Sequence, residues 1–253
     1  MKDVDAGNDH ASPRRARKTA LLHISMLRAC LRVIIVLSLP VILTMGVVRG
    51  LTTPWFIRWE YSKPDFPEDP LGMPPAARLT LARETVRYLN TPDSLPVLTS
   101  LTLPDGRPAY NAREVSHMVD VKRVYTQLTA VAAGCLVGLG VAVWWLARHG
   151  YPCDIWRGLL YGGSLTLGIL LALGLWMLTS FQRFFERFHD LFFAPGTWTF
   201  SYSDTLIRLF PLPLWQDAGL TIAVSVSFLA VVTAAVGFLR LRHCQQAEAP
   251  PSA

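Results

Sequence analysis

Two short motifs in this chain place a histidine and carboxylates at helical spacing. The first is Glu114-x-x-His117-x-x-Asp120, and the second is Glu186-x-x-His189-Asp190. Residues three apart share one face of a helix, so a carboxylate can lie beside each imidazole. Histidine titrates near neutral pH and can take a proton from an amine and return it to an alkoxide, as acyl transfer requires. We therefore predict that His117 and His189 are catalytic acid/base residues.

Other polar side chains near the motifs are assigned supporting roles. A carboxylate one turn from an imidazole can fix its tautomer, and the predicted orienting residues are Glu114, Asp120, Glu186 and Asp190. An arginine such as Arg113 or Arg183 can stabilise an oxyanion or bind a phosphate. The predicted substrate contacts are Arg113, Tyr61, Trp198 and Arg183.

The same motifs are compatible with two other functions. Paired Glu-x-x-His motifs on facing helices bind two metals in some bundles, but those sites also take a glutamate from each of two further helices. The only nearby substitutes here are Glu60 and Asp217, so no metal ligand is assigned. In the third hypothesis the histidines are packing residues, and the chain is a non-catalytic membrane sensor or interaction protein.

Apolar stretches dominate the rest of the chain. A helix needs about 20 residues to cross a bilayer. Four stretches are long enough, at residues 33–51, 126–147, 159–180 and 220–239, and the last three contain no charged residue. The sequence therefore predicts a multi-pass protein of the cell membrane.

Basic residues near the span ends predict the orientation. They lie before the first span, between the second and third spans, and after the fourth, and they include Arg28, Arg32, Arg148, Arg157 and Arg240. With four spans these segments share one side, so both termini are predicted to be cytoplasmic and both motifs to lie on the outer face. The net charge of +6 is then explained by topology and anionic lipid, and no nucleic-acid partner is expected.

The predicted fold is mainly α-helical: a four-transmembrane-helix bundle with a small α/β extracytoplasmic cap between helices 1 and 2. The predicted divisions are a disordered basic lead (1–28), a membrane domain (29–243) and a cytoplasmic tail (244–253). The membrane domain includes an outer cap (52–124) and an outer loop (181–219). Within the cap, apolar spacing predicts a helix over 74–90, and alternation around Pro104-Asp105-Gly106 predicts a hairpin over 96–110.

Small residues carry two further predictions. The Gly134-x-x-x-Gly138 and Gly158-x-x-x-Gly162 motifs favour close helix approach in lipid, which would pair the second and third spans. The four cysteines, Cys30, Cys135, Cys153 and Cys244, fit no zinc spacing and are predicted to be unpaired apolar fillers.

Several motifs resemble those of a bacterial integral membrane family that includes the lipoprotein intramolecular transacylases. They are Arg113-Glu114-x-x-His117-Met118-x-Asp120-Val121-Lys122, Phe188-His189-x-x-Phe192-Phe193, Trp198-x-Phe200, Asp204-x-Leu206-Ile207 and Phe210-Pro211. The segment with Glu60-Tyr61, Phe66-Pro67 and Asp69 is similar to the one that follows the first span in that family. The resemblance covers about residues 33–239 and leaves out the basic lead before Arg28.

The resemblance implies a reaction at the outer membrane surface. The substrate would be a diacylglyceryl-modified lipoprotein, whose inner ester-linked acyl chain moves from glycerol to the amine of its amino-terminal cysteine. The product would be the N-acyl, S-monoacylglyceryl form. The resemblance also implies that two outer histidines, His117 and His189 in this sequence, serve the transfer, and that no cofactor or external acyl donor is needed.

Overall fold

The computed structural model describes residues 13–92 and 95–248. Nine helices lie within these ranges: α1 (Pro13–Leu51), α2 (Pro54–Tyr61), α3 (Pro75–Asn90), α4 (Leu95–Thr99), α5 (Ala112–Arg148), α6 (Pro152–Thr179), α7 (Phe181–Phe192), α8 (Thr205–Leu209) and α9 (Leu212–Glu248). The part of the chain that the structure describes contains no strand, only one isolated bridge.

Four of these helices are long and apolar enough to cross a membrane, as predicted. They are α1, α5, α6 and α9. The 37 residues of α5 make about 55 Å of helix at 1.5 Å per residue, whereas the hydrocarbon core is about 30 Å thick. The first turns of α5, which contain His117, therefore extend beyond the apolar stretch 126–147.

The four long helices pack as a bundle whose main interfaces join α6 to α9, α1 to α5 and α1 to α6. Gly158 and Gly162 lie on the α1 interface, because a Cβ at either position would collide with Ile35 or Leu39. The prediction that the two glycine motifs pair the second and third spans is therefore wrong. The small-residue spacing indicates a close approach, but it does not identify which helix approaches.

Short helices α2, α3, α4 and α8 form the cap, around a core that includes Phe56, Leu81, Leu98 and Leu209. The predicted helix over 74–90 is confirmed as α3, which has proline in its first turn. The remainder of the cap likewise forms from helices and loops, so the α/β cap is not observed.

The predicted hairpin over 96–110 is wrong. Residues 95–99 form α4, which turns Leu98 fully into the cap core, and only Thr102 and Pro108 make an antiparallel bridge. The predicted turn itself is present, with Gly106 at φ +84°. Two isolated strands are marginally stable in water, so burial of Leu98 in a helical turn is favoured over ladder pairing.

Both chain ends are more helical than predicted. α1 begins at Pro13, so residues 13–28 of the predicted disordered lead are helical, while residues 1–12 lie outside the described ranges. α9 continues to Glu248, so residues 244–248 of the predicted cytoplasmic tail (244–253) belong to this helix. Residues 249–253 lie outside the described ranges. Leu21 and Leu22 are good helix formers. They link the basic segment at the start of α1 to the apolar span that follows it.

Two of the four cysteines are paired, contrary to prediction. A disulfide joins Cys153 at the start of α6 to Cys244 near the end of α9, with Cα atoms 5.8 Å apart and the two residues 91 positions apart in the sequence. Cys30 and Cys135 are free. Sequence spacing could not indicate this pair, because the two cysteines meet only after α6 and α9 pack side by side.

Candidate active site

The structure brings His117 and His189 together. His117 lies in the second turn of α5, and His189 lies near the end of α7. Their ring centroids are 6.4 Å apart, and the ring planes are inclined by 26°. Two helices that are distant in sequence thus present two imidazoles to one small region at the same end of the bundle.

Aromatic side chains enclose the two imidazoles. Around His117 they are Phe193 and Phe200, and around His189 they are Phe185, Phe188, Phe193 and Trp198. The shortest ring separation is 4.0 Å, between Phe185 and His189. These rings give the imidazoles an apolar surrounding, and a low local dielectric constant of this kind strengthens any electrostatic interaction with a substrate.

Helix α7 forms one wall of this aromatic site because of its residue pattern. Its phenylalanines recur at helical spacing, and Ser180 caps the helix by accepting a hydrogen bond from the Arg183 amide. No residue of α7 is buried in the protein, and Phe188 and Leu191 remain 47% and 75% exposed. An amphipathic helix of this kind lies at a membrane interface, so an acyl chain could enter from the lipid side.

The His117 imidazole is buried and neutral. The ring is 9% exposed, and its Nδ1 has no hydrogen-bond partner within the described ranges. Burial, and then the nearby His189, lower the pKa of His117 to about 4, although Asp120 opposes this shift. His117 therefore remains uncharged throughout the physiological pH range.

The His189 imidazole has one fixed nitrogen. Its Nδ1 lies 2.8 Å from the Phe185 carbonyl oxygen, which can only accept, so we assign the proton to Nδ1 and leave the lone pair on Nε2. Burial lowers the pKa of His189, while this hydrogen bond and Asp190 oppose the shift. A neutral ring with an unprotonated Nε2 can act as a general base.

The buried His117 predicts that acid destabilises the fold. The unfolded ring binds a proton near pH 6.5, but the folded ring does so only near pH 4. The stability contributed by the neutral ring is therefore complete above pH 6.5 and is lost as the pH falls toward 4, by about 2 kcal/mol at pH 5. Thermal unfolding of the wild type and His117→Asn at several pH values measures the effect. Parallel acid sensitivity in the two proteins would contradict it.

The Glu114 carboxylate hydrogen-bonds to backbone amides and not to His117. It is 1% exposed, completes a capping box with Asn111 at the start of α5, and accepts the Leu206 amide at 2.8 Å. Burial raises the pKa of the Glu114 carboxyl, and its backbone partners oppose the shift. Glu114 thus ties the start of α5 to α8, and the orienting role predicted for it is not supported by any contact.

The other three predicted orienting residues pair within their own helices. Asp120 lies 3.1 Å from Arg123, Glu186 accepts from Gln182 at 2.8 Å, and Asp190 lies 3.6 Å from Arg187. None of the three carboxylates hydrogen-bonds to an imidazole in the part of the chain that the structure describes. The charge of Asp120 raises the pKa of His117, and the charge of Asp190 raises that of His189, in both cases against the larger effect of burial.

Of the predicted substrate contacts, Trp198 and Arg113 lie at the site. Trp198 packs against His189 at 4.9 Å, and its buried indole Nε1 has no partner among the described residues. Arg113 donates to the Thr199 carbonyl and lies over the Phe200 ring, so it holds the segment that carries Trp198. Arg183 is exposed on α7 and its side chain makes no hydrogen bond to either histidine.

Tyr61 belongs to the cap core. Its hydroxyl donates to the Leu209 carbonyl at 2.6 Å, its ring packs on Phe66, and burial raises its pKa. Tyr61 therefore anchors α8 through the Leu209 carbonyl, and its predicted contact with substrate stays a prediction.

Sequence reasoning missed the residues that position the segment between α7 and α9. Asp69 and Arg208 form a bidentate ion pair at 2.9 Å, with side chains 1% and 10% exposed. Arg78 donates to the Arg208 carbonyl at 2.6 Å. No local pattern links residues 139 apart. Phe200 belongs to the Trp198-x-Phe200 motif, but its contact with His117 was not predicted.

The metal hypothesis gains no support from the geometry. Within residues 13–92 and 95–248, no three histidine, cysteine, aspartate or glutamate side chains gather into a possible ligand set. The Glu114 carboxyl is occupied by backbone amides, and Glu60 and Asp217 both pair with Lys63.

These features define a four-span membrane protein with two neutral imidazoles in an aromatic site at one end of its bundle. A family model described as lipoprotein intramolecular transacylase Lit matches residues 32–215. The chain therefore belongs to the lipoprotein intramolecular transacylase family, which confirms the resemblance seen in its motifs. It is a multi-pass membrane protein of a family of lipoprotein-processing transferases of the bacterial cell envelope.

Individual proteins resemble this chain in sequence or in fold. An uncharacterized protein of Aquifex aeolicus (strain VF5) is 35% identical over 203 residues, which span 80% of this chain and 90% of that protein. The membrane integral lipoprotein intramolecular transacylase Lit from Bacillus cereus has a similar fold, with a TM-score of 0.67 at 18% identity, covering 88% of this chain and 99% of its own. A structure of that protein with a histidine-to-alanine substitution gives a TM-score of 0.62 at 17% identity.

Proposed function

We propose that this protein transfers an ester-linked acyl chain within a diacylglyceryl-modified lipoprotein to the amine of its amino-terminal cysteine. The product is the N-acyl, S-monoacylglyceryl lipoprotein. The observation that carries the proposal is the pair of neutral imidazoles 6.4 Å apart within an aromatic enclosure. Because the two rings are neighbours in one enclosure, one reacting centre can contact both of them.

The two histidines divide the proton transfers. The amine nitrogen attacks the ester carbonyl carbon, and His189 Nε2 accepts the amine proton, a role supported by the Nδ1–H bond to Phe185. The tetrahedral intermediate then breaks its bond to the glycerol oxygen. His117 is neutral, and its Nδ1 has no hydrogen-bond partner among the described residues. It donates a proton to the glycerol oxygen and regains one from His189. The net change is one new amide, one lost ester and one proton moved from nitrogen to oxygen.

Trp198 is proposed to stabilise the oxyanion. Its indole N–H can only donate, it is buried without a partner among the described residues, and it lies beside His189. A donor aimed at a developing negative charge in a water-poor site contributes strongly to catalysis. Because amine and ester belong to one substrate, the remaining task is orientation, and no cofactor or second acyl donor is proposed.

The proposed site lies on the outer face of the cell membrane, with both termini cytoplasmic. Basic residues support this orientation, since Arg28, Arg32 and Arg157 lie at the end of the bundle opposite the histidines. A diacylated lipoprotein would then approach with its acyl chains in the outer leaflet, beside α7. The phospholipid bilayer and this lipoprotein are the only proposed partners.

Expression in a bacterial host that lacks other amine-acylating enzymes tests the proposal. Mass spectrometry of a lipoprotein should reveal conversion of the free amino terminus to an amide at unchanged total lipid mass. A diacyl form with a free amine, in cells that contain the well-folded protein, would contradict the proposed activity. An increase in total mass by one acyl chain would instead indicate an external donor.

A further inference from the structure

At the end of the bundle opposite the histidines, three arginines surround one buried aspartate. Asp154, in the first turn of α6, has a side chain 1% exposed, whereas Arg28, Arg32 and Arg157 are 33%, 36% and 33% exposed. Arg28 Nε donates to the Asp154 carboxylate at 2.6 Å. The nearest nitrogens of Arg32 and Arg157 lie 3.4 and 3.6 Å from Oδ1.

This cluster contains more positive charge than the protein compensates. One carboxylate faces three guanidinium groups, which leaves a surplus of two charges. Asp154 Oδ1 accepts no hydrogen bond, and Arg32 and Arg157 donate none to any residue in the described ranges. Like charges held this close repel one another, so the arrangement is stabilised if an additional anion binds to the free N–H groups.

The depth of the cluster matches that of lipid headgroups. Arg28 and Arg32 precede the apolar stretch 33–51 of α1, and Arg157 precedes the stretch 159–180 of α6. Arg28 also lies 4.0 Å from the ring centre of Tyr151, and aromatic residues of this kind mark the membrane–water interface. The partly exposed guanidinium groups therefore lie where the hydrocarbon core ends.

We propose that Arg32 and Arg157, assisted by Arg28, bind the phosphate group of an anionic phospholipid between the ends of α1 and α6. A guanidinium presents two parallel N–H groups that match two phosphate oxygens. Basic pockets between membrane helices bind anionic lipid headgroups by this chemistry. Asp154 holds the arginines in place and leaves two of them with unsatisfied donors. This site is separate from the histidine pair and does not depend on the proposed transacylation.

Native mass spectrometry of the purified full-length protein, with added phosphatidylglycerol or phosphatidylcholine, tests the proposal. The wild type should retain one phosphatidylglycerol with clear preference over phosphatidylcholine. The double substitution Arg32→Gln/Arg157→Gln should weaken that binding roughly 30-fold, or about fivefold for each arginine. Arg28 is kept so that the buried Asp154 carboxylate retains its hydrogen bond.

The double substitution Arg148→Gln/Arg242→Gln is the matched control, because it removes the same charge at the same end of the bundle from exposed residues. It should change phosphatidylglycerol binding less than twofold. Equal loss in both double variants, or no loss in either, would overturn the proposal. The melting temperature in phosphatidylcholine confirms folding, and the two single Arg→Gln variants replace the double one if it unfolds.

A soluble-anion arm identifies the source of the phosphate. Inorganic phosphate, added to the protein in detergent, should stabilise it far less than phosphatidylglycerol does, because a free ion lacks the acyl chains that hold the headgroup at this depth. If inorganic phosphate gives the same thermal shift, and the Arg32→Gln/Arg157→Gln variant loses it, the lipid assignment is overturned and the site binds free anions.

Discussion

Replacing either histidine with asparagine is expected to lower the rate of lipoprotein transacylation by about 10²- to 10⁴-fold, the usual contribution of a general acid or base. His189→Asn is the more specific of the two substitutions, because it can remove the base and keep the hydrogen bond that positions the side chain. The asparagine amide can replace Nδ1–H and donate to the Phe185 carbonyl, but it has no counterpart of Nε2. Loss of activity in a stable His189→Asn protein would therefore report the missing base and not a disturbed fold.

The double variant extends this prediction. If His117 and His189 serve one proton transfer, removing both should cost little more than removing one, because residues that act as a unit are not additive. His23→Asn is the control, since His23 is exposed on α1 at the opposite end of the bundle. Normal activity in both single variants, or a double loss equal to the product of the single losses, would contradict the shared role.

Glu114→Ala is expected to destabilise the protein by about 2–4 kcal/mol. The substitution removes the acceptor for the Asn111 and Leu206 amides. The buried Leu206 amide left without a partner costs about 1–3 kcal/mol, and loss of the capping box at Asn111 adds about 1 kcal/mol. Activity should fall with stability, because α8 and the segment before it lose their attachment to α5. The melting temperature and the transacylation rate of the same preparation measure both effects.

A matched surface substitution separates this role from catalysis. Glu84 pairs with Arg87 on the exposed side of α3, so Glu84→Ala should change stability by less than about 1 kcal/mol. An unchanged melting temperature for Glu114→Ala, together with lost activity, would instead favour the orienting role that the spacing from His117 first indicated.

The membrane fold and the histidine pair were predictable because both depend on local periodicity. The apolar pattern of 126–147 identifies a span, and helical spacing extends it back through His117. Aromatic residues at the same spacing in 181–192 placed His189 at the edge of an apolar surface. Neighbouring spans then brought the two helices to one end of the bundle.

The carboxylates predicted to orient the imidazoles have other partners in the structure, and for Glu114 the sequence contains the physical reason. Glu114 follows Asn111 by three residues, which is the spacing of a capping box. The unsatisfied amides at the start of α5 and the Leu206 amide bind this carboxyl, so it is unavailable to His117. Helical spacing places two residues on the same face of a helix. The direction in which each side chain points depends on its strongest hydrogen-bond partners.

Contacts between distant segments could not be predicted from the sequence. Asp69 meets Arg208, and Cys153 meets Cys244, only after the cap and the bundle have assembled. The hairpin prediction failed for a related reason, since alternation over 96–110 did not reveal that Leu98 could enter the cap core through a helical turn. Whether such a segment forms a strand or a helical turn depends on which apolar surface of the folded cap is available to bury it.

Transfer within a single substrate molecule is the most direct test of the account. Purified protein would be given equal amounts of two synthetic diacylglyceryl lipopeptides that differ in peptide sequence, only one of which carries an isotope-labelled inner acyl chain. Mass spectrometry should find the labelled amide only on the peptide that began with the label, with total lipid mass unchanged and no amide formed by His189→Asn. Label on both peptides, or amide formation that persists without the His189 imidazole, would contradict the account.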